Sequence, residues 1–166
     1  MDAFKGNVIV VDDVLLLEPF VPTLKKEWRW KEGVDDRYKV VHEEPSAQAL
    51  KRVSVGAIAA KQLPSKKLLR EAIEALKEGH AFMLGANVAE ALYEAPNKWP
   101  KAWKVDGFKI AFPATLIEGH YTTEQLIALV WWNTYHDRPE FGYISLCDRT
   151  LATSAYIAVL EGNALV

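Results

Sequence analysis

The sequence predicts an α+β fold with a mixed sheet and about five helices, formed by a single globular domain over residues 1–166. Three observations predict this fold class. Strand-like and helix-like segments follow one another in no regular order, two apolar segments flank an Asp-Gly turn pair, and 50% of the residues are hydrophobic. A chain of 166 residues with this composition can bury a core without disulfides, so a disordered protein is excluded.

The N-terminal part of the chain is predicted to contain strands. Residues 8–11 are four consecutive β-branched residues after a Gly-Asn turn pair, which is typical of a buried strand. Large apolar and charged residues alternate over residues 27–31, and residues 37–42 form a second such segment, so an antiparallel hairpin is predicted here. A short helix over residues 24–31 is the other interpretation of the first of these two segments.

The middle of the chain is predicted to be mostly helical. A helix over residues 46–62 begins at a serine cap, although residues 53–58 also fit a strand. Apolar side chains on one face and charged side chains on another predict a second helix over residues 65–79. A short strand at residues 81–84 and a third helix at residues 88–93 follow.

Two strands joined by a tight turn are predicted around Asp106 and Gly107, because Asp-Gly between two apolar segments is a strong hairpin signal. The arms of this hairpin are residues 102–105 and residues 108–112. A further strand is predicted at residues 141–146, where aromatic and β-branched residues are frequent.

Two apolar segments near the C terminus are predicted as helices, over residues 122–135, which begin with a capping-box sequence, and over residues 148–162. Neither segment has an extended polar face at helical spacing, and only nine charged residues lie among the last 60. A helix that is apolar on all sides is central in its domain or is covered by another molecule. We therefore expect one of the two helices to face a partner, with Trp132 anchoring the interface and Trp131 anchoring the core.

An α/β three-layer sandwich is the alternative fold. Residues 10–13 and residues 111–113 resemble, in spacing only, the end of the first strand and the Lys-Pro corner of response-regulator receiver domains. Residues 59–61 stand where that family has its phosphoacceptor aspartate, and no lysine precedes Pro113. The resemblance therefore implies a layered α/β fold but excludes a phosphorylatable receiver domain.

Dispersed polar residues are weak candidates for a catalytic site, and the set consists of His120, His136, Cys147 and Asp12. His120 and His136 lie at opposite ends of the predicted helix, ~20 Å apart at about 1.5 Å per residue, so they cannot bind one metal ion together and no metal site is expected. Cys147 stands beside Asp148, whose negative charge opposes thiolate formation. Cys147 is therefore predicted to be a buried packing residue at the end of a strand.

Charge and composition limit the classes of partner. The net charge is −2 and the sequence contains no glycine-rich phosphate-binding loop, so nucleic acid is not the expected partner and no cofactor is expected. Residues 98–104 interleave three lysines with two tryptophans, which we interpret as a loop anchored by its aromatic side chains. No segment is apolar enough for a signal peptide or a membrane span, and a single cysteine is typical of a reducing compartment, so a cytoplasmic location is expected.

The function predicted from the sequence is non-enzymatic binding or regulation by a homo-oligomer, for example as an inhibitor or adaptor of another protein. This prediction rests on the lack of a coherent catalytic set and on the apolar C-terminal third. The binding surface is expected to consist of aromatic residues and one lysine: Trp132, Tyr135, Trp99, Trp103 and Lys101. A small hydrolase or transferase, with a site assembled from the dispersed polar residues, is the alternative function.

Overall fold

The computed structural model describes residues 13–22, 38–62, 68–119, 124–147 and 155–161. The strands in these ranges are β1 (Val14–Leu16), β2 (Tyr38–Glu43), β3 (Arg52–Ser54), β4 (Ile58–Gln62), β5 (Phe82–Met83), β6 (Lys109–Gly119), β7 (Gln125–Asn133), β8 (Arg138–Ser145) and β9 (Ala155–Leu160). The α-helices are α1 (Pro45–Gln48), α2 (Leu69–Glu78) and α3 (Ala86–Tyr93), and short 3-10 helices form at Val55–Ala57, Pro96–Lys98 and Lys101–Trp103. None of the helices in the described ranges is long and apolar enough to cross a membrane.

The main sheet is built around β6, its longest strand. β6, β7 and β8 form an antiparallel meander, while β9 lies parallel to β6 on the other side, with β4 antiparallel beyond it. The pairing of β6 with β7 is irregular between Phe112 and Ile117. Residues 109–111 of β6 pair with β9, and residues 115–119 pair with β2. β5 pairs with β9, whereas β1 and β3 form a separate small sheet.

Both faces of the main sheet are buried. Along β7, Ile127 and Leu129 belong to one apolar cluster, whereas Ala128 and Val130 belong to the other. α3 packs across β6, β7 and β8 on the second side, and α2 covers the first side through Leu69. A strand that is buried on both faces has few positions for polar residues, which is why β7 is almost continuously apolar.

The predicted number of helices is wrong, although the predicted mixed sheet is present. The described residues contain three α-helices. The two apolar segments predicted as helices over residues 122–135 and 148–162 form strands β7 and β9 instead. A continuous apolar segment does not distinguish a buried strand from a buried helix by its periodicity. In the described residues, no apolar helix therefore remains to be covered by a partner.

The middle of the chain agrees with the sequence prediction except in one segment. The helices predicted at residues 65–79 and 88–93 correspond to α2 and α3. The helix predicted over residues 46–62 is instead the short helix α1 followed by β3 and β4, so the strand interpretation of residues 53–58 fits better. The strand predicted at residues 8–11 lies outside the described residues.

The predicted hairpin around Gly107 is only half formed. Its second arm is the start of β6, but its first arm contains a 3-10 helix over Lys101–Trp103. Gly107 nevertheless has a φ of 81°, in the left-handed region that the turn prediction required. Of the predicted N-terminal hairpin, residues 37–42 correspond to β2, and residues 27–31 lie outside the described part of the chain.

Gly107→Ala is expected to lower the free energy of unfolding by about 1 kcal/mol, because an L side chain resists a left-handed φ. A Cβ at this position meets no atom within 4 Å, so backbone strain and not a clash is the expected cost. Gly79→Ala is the matched control, because Gly79 has a φ of −81° and a Cβ there makes ordinary contacts. Chemical denaturation measures both variants, and a Gly107→Ala variant as stable as Gly79→Ala would contradict the turn geometry.

Candidate functional site

Three of the residues predicted to form a binding surface lie in the core instead. Trp132 is only 6% exposed, and Trp99 and Trp103 are also buried. The ring centroids of Trp99 and Trp132 are 5.4 Å apart, and those of Trp99 and Trp103 are 6.2 Å apart. The Nε1 of Trp99 donates a hydrogen bond of 2.7 Å to the carbonyl oxygen of Leu92 in α3. These rings therefore hold the meander and α3 together and present little surface to a partner.

Tyr135 and Lys101, the other two residues of the predicted surface, are exposed. Tyr135 is 90% exposed and lies in the turn between β7 and β8. We call the four turn residues, Thr134, Tyr135, His136 and Asp137, the tip. A tyrosine this exposed leaves most of an aromatic ring in water, although burial of that ring against another surface is favourable.

Side chains of neighbouring residues hold the backbone of the tip in one conformation. The Oδ1 of Asn133 accepts hydrogen bonds from the backbone N–H groups of Tyr135 (3.0 Å) and His136 (2.9 Å). Asp137 has a φ of 49°, and its Oδ1 accepts a hydrogen bond of 3.1 Å from the Nε1 of Trp132. Hydrogen bonds within the chain thus anchor the turn to a buried tryptophan.

A further contact joins the tip to the loop that precedes β6. The Oγ1 of Thr134 donates a hydrogen bond to a carboxylate oxygen of Asp106. The rings of Tyr135 and His136 stand edge to face, with their centroids 4.8 Å apart. The tip therefore projects an aromatic pair from a backbone that hydrogen bonds hold on both sides.

The dispersed catalytic candidates do not converge among the described residues. His136 lies in the tip, two residues before the start of β8, and Cys147 lies two residues after the end of β8. The eight residues of β8 separate them, which corresponds to roughly 27 Å at about 3.4 Å per residue. Asp12 and His120 lie outside the described residues. Within the described ranges, no group of three His, Cys, Asp or Glu side chains is placed to hold a metal ion.

Cys147 is exposed, so its predicted role as a buried packing residue is wrong, although it does follow the end of a strand. Its Sγ lies 3.7 Å from the Nη2 of Arg70 in α2. The backbone N–H of Arg70 donates a hydrogen bond of 3.0 Å to the carbonyl oxygen of Leu146, which joins the start of α2 to the end of β8. The thiol therefore lies next to the cleft between α2 and the sheet, which Arg70 and Leu146 line.

This cleft, which we call the α2 cleft, has a volume of about 130 Å³. It lies at the end of the meander opposite the tip, because the start of β7 pairs with the end of β8 there. Its apolar lining comes from α2, from the irregular part of β6 and from the residue after β8: Ile73, Pro113, Leu116 and Leu146. The sequence does not predict the α2 cleft, because the residues that line it come from distant parts of the chain and share no local sequence pattern.

Charged side chains form the rim of the α2 cleft. The Nζ of Lys77 lies 3.1 Å from the Oε1 of Glu44, and the Nε2 of His42 lies 3.6 Å from the same oxygen. The hydrogen bond from Lys77 is the main cause that holds the pKa of Glu44 below its usual range; burial opposes this shift, and the charges of Lys77 and His42 support it. Glu44 is therefore an ionised acceptor at neutral pH.

Lys77→Met is expected to raise the pKa of Glu44 toward its usual range, because the main cause of the depression is removed. In the wild type, ionised Glu44 contributes stability at neutral pH, and this contribution is lost as the pH falls through the depressed pKa of the folded state. In Lys77→Met the depression is smaller, so the contribution at neutral pH is smaller too.

An NMR titration of the Glu44 carboxyl carbon measures this pKa directly. Lys61→Met is the matched control, because Lys61 pairs with Glu161 on a different part of the surface. A pKa of Glu44 that is equal in wild type and Lys77→Met would show that the ion pair at the rim does not form in solution.

The described residues thus form a mixed sheet with a helix on each face, an aromatic turn held by hydrogen bonds at one end and a small cleft at the other. Comparisons of the chain with protein-family models, with curated proteins and with solved structures give no match. A functional assignment therefore rests on the residues of the tip and the α2 cleft.

Proposed function

We propose that this chain is a non-enzymatic interaction protein that binds a protein partner, or a second copy of itself, through the tip. The observation that carries the proposal is the 90% exposure of Tyr135 on a turn that hydrogen bonds hold in place. An inhibitor or adaptor acts in this way, because it holds another protein and converts no substrate.

The ordered backbone of the tip supports this function. Association normally costs about 0.5–1.5 kcal/mol for each flexible side chain that is immobilised, and a preorganised turn reduces such costs. Tyrosine adds a large contact area with only two side-chain torsions, which is why it is frequent in binding loops. Truncation of such an anchor often costs ~2 kcal/mol or more of binding energy.

The loop beside the tip adds to the exposed surface. Val105, which is partly exposed, precedes the Asp106 that binds Thr134. Lys101 is exposed on the 3-10 helix of the same loop. The surface proposed for binding is thus centred on Tyr135, and the loop that Asp106 joins to the tip also exposes Val105 and Lys101. It replaces the surface of buried tryptophans predicted from the sequence.

Tyr135→Ser tests this function against the matched control Leu16→Ser, which removes another exposed apolar side chain, 76% exposed, on β1. Sedimentation velocity of the purified chain, and native gels of the tagged chain in extracts of its source cells, report its complexes. We expect Tyr135→Ser to weaken these complexes at least about tenfold without a change in melting temperature. Leu16→Ser is expected to leave them unchanged.

Two results would contradict the proposed function. One is a Tyr135→Ser variant whose complexes are as strong as those of the wild type. The other is a wild-type chain that forms no complex in either setting.

A further inference from the structure

We infer that the α2 cleft binds Tyr135 of a second copy of this chain, so that copies associate tip to cleft. This inference rests on the proposed function and names the partner as the chain itself. It is carried by the match between an exposed aromatic side chain and a cleft of the same size and suitable chemistry on the same molecule.

The size of the α2 cleft suits one aromatic ring. An apolar protein cavity of about 150 Å³ binds a benzene molecule. The α2 cleft has about 130 Å³ and is open to solvent on one side, so a tyrosine ring can enter with its hydroxyl group at the rim. A larger ligand of the usual drug-like size needs a pocket of roughly 300–1,000 Å³.

The chemistry of the α2 cleft also suits a tyrosine. Ile73, Leu116 and Leu146 provide apolar surface for the ring. At the rim, the ionised carboxylate of Glu44 accepts hydrogen bonds, and a phenol hydroxyl group is a donor that pairs well with a carboxylate. Burial of the ring removes apolar area from water both on the tip and in the cleft.

Within one copy of the chain, the tip and the α2 cleft are too far apart to contact each other. The α2 cleft contains Gln125 at the start of β7, whereas the tip follows Asn133 at its end. The nine residues of β7 span roughly 30 Å at about 3.4 Å per residue, so Tyr135 cannot reach the α2 cleft of its own chain. A contact between two different surfaces is heterologous, and repeated use of it produces a ring or an open filament.

Disulfide trapping tests this contact, because the native Cys147 is exposed next to the α2 cleft and is the single cysteine of the chain. In His136→Cys, docking of Tyr135 brings the new thiol close to the partner's Cys147. After mild oxidation with diamide we expect covalent oligomers, with a peptide crosslink between positions 136 and 147 in mass spectrometry. A disulfide forms readily only when the two Cα atoms lie within about 7 Å.

Two control variants test whether the crosslink between positions 136 and 147 depends on docking of Tyr135. Addition of Tyr135→Ala to His136→Cys removes the anchor and is expected to reduce the crosslink at least fivefold. Leu16→Cys places an exposed thiol on β1 and is expected to give no preferred crosslink with Cys147.

Crosslinks only between identical positions, or a 136–147 crosslink that survives Tyr135→Ala, would overturn the self-docking inference. If complexes with a different protein still depend on Tyr135 in that case, the proposed function stands without it. If no complex depends on Tyr135, both fail.

Discussion

Trp132→Ala is expected to lower the free energy of unfolding by about 3–5 kcal/mol, which is the usual cost of removing a buried aromatic side chain. The ring packs against Trp99, and its Nε1 binds Asp137 in the tip, so the substitution opens a cavity and also removes an anchor of the turn. The Nζ of Lys104 lies 4.5 Å from the centroid of the same ring, and this cation–π contact is lost as well.

Trp131→Ala is expected to cost less, because Trp131 lies on the opposite face of β7 and is only partly buried. The Nζ of Lys109 lies 5.7 Å from the centroid of the Trp131 ring. Chemical denaturation of both variants, followed by circular dichroism, measures the difference. The helix predicted over residues 122–135 places Trp131 in the core and Trp132 at an interface, so it implies a larger loss of stability in Trp131→Ala than in Trp132→Ala. Such a result would contradict the structure of β7.

Gly85→Ala is the second substitution with a large expected effect. A Cβ at Gly85 lies 2.6 Å from the Oγ1 of the buried Thr115, which is closer than two such atoms can approach. Overpacking of this kind typically costs about 1–3 kcal/mol. The same Oγ1 accepts a hydrogen bond of 2.9 Å from the backbone N–H of Ala86 at the start of α3, so a displaced hydroxyl group adds the cost of an unpaired donor.

A double-mutant cycle with Thr115→Ala isolates this contact. Gly85→Ala is expected to cost less in the Thr115→Ala background than in the wild type, because the atom with which the Cβ collides is then absent. An equal cost in both backgrounds would show that Gly85 is required for another reason. Gly79→Ala serves again as the control, because a Cβ there has no contact shorter than 3.6 Å.

The sequence predicted α2 correctly because this helix has one buried and one solvated face. In α2, Leu69 and Ile73 are buried while Arg70 and Glu74 are exposed, and this pattern is visible as helical periodicity. β7 and β9 lack such a pattern because the sheet is covered on both sides. The prediction that these two segments are helices was therefore wrong for a physical reason. A periodic pattern of apolar and polar residues arises only when one face of an element is buried and the other is solvated, and both faces of β7 and β9 are buried.

Neither the tip nor the α2 cleft could be predicted from the sequence, and the reasons differ. The sequence predicts Tyr135 as a surface residue, but the turn that presents it depends on the Asn133 side chain and on the contact between Trp132 and Asp137. Neither contact exists in the helix that was predicted there. The ion pair between Glu44 and Lys77 joins segments that only the folded sheet brings together.

Hydrogen exchange of the complexed and the dissociated chain tests most directly whether the tip is the recognition element. Complex formation is expected to slow exchange at the amides of Tyr135 and His136 and to leave the amides of β9 unchanged, because β9 lies inside the sheet with a strand on each side. With self-association, slower exchange is also expected beside the α2 cleft, at Gln125 and Arg70. Slower exchange confined to the edge strands β4 and β8, with no change at the tip, would contradict recognition through the tip.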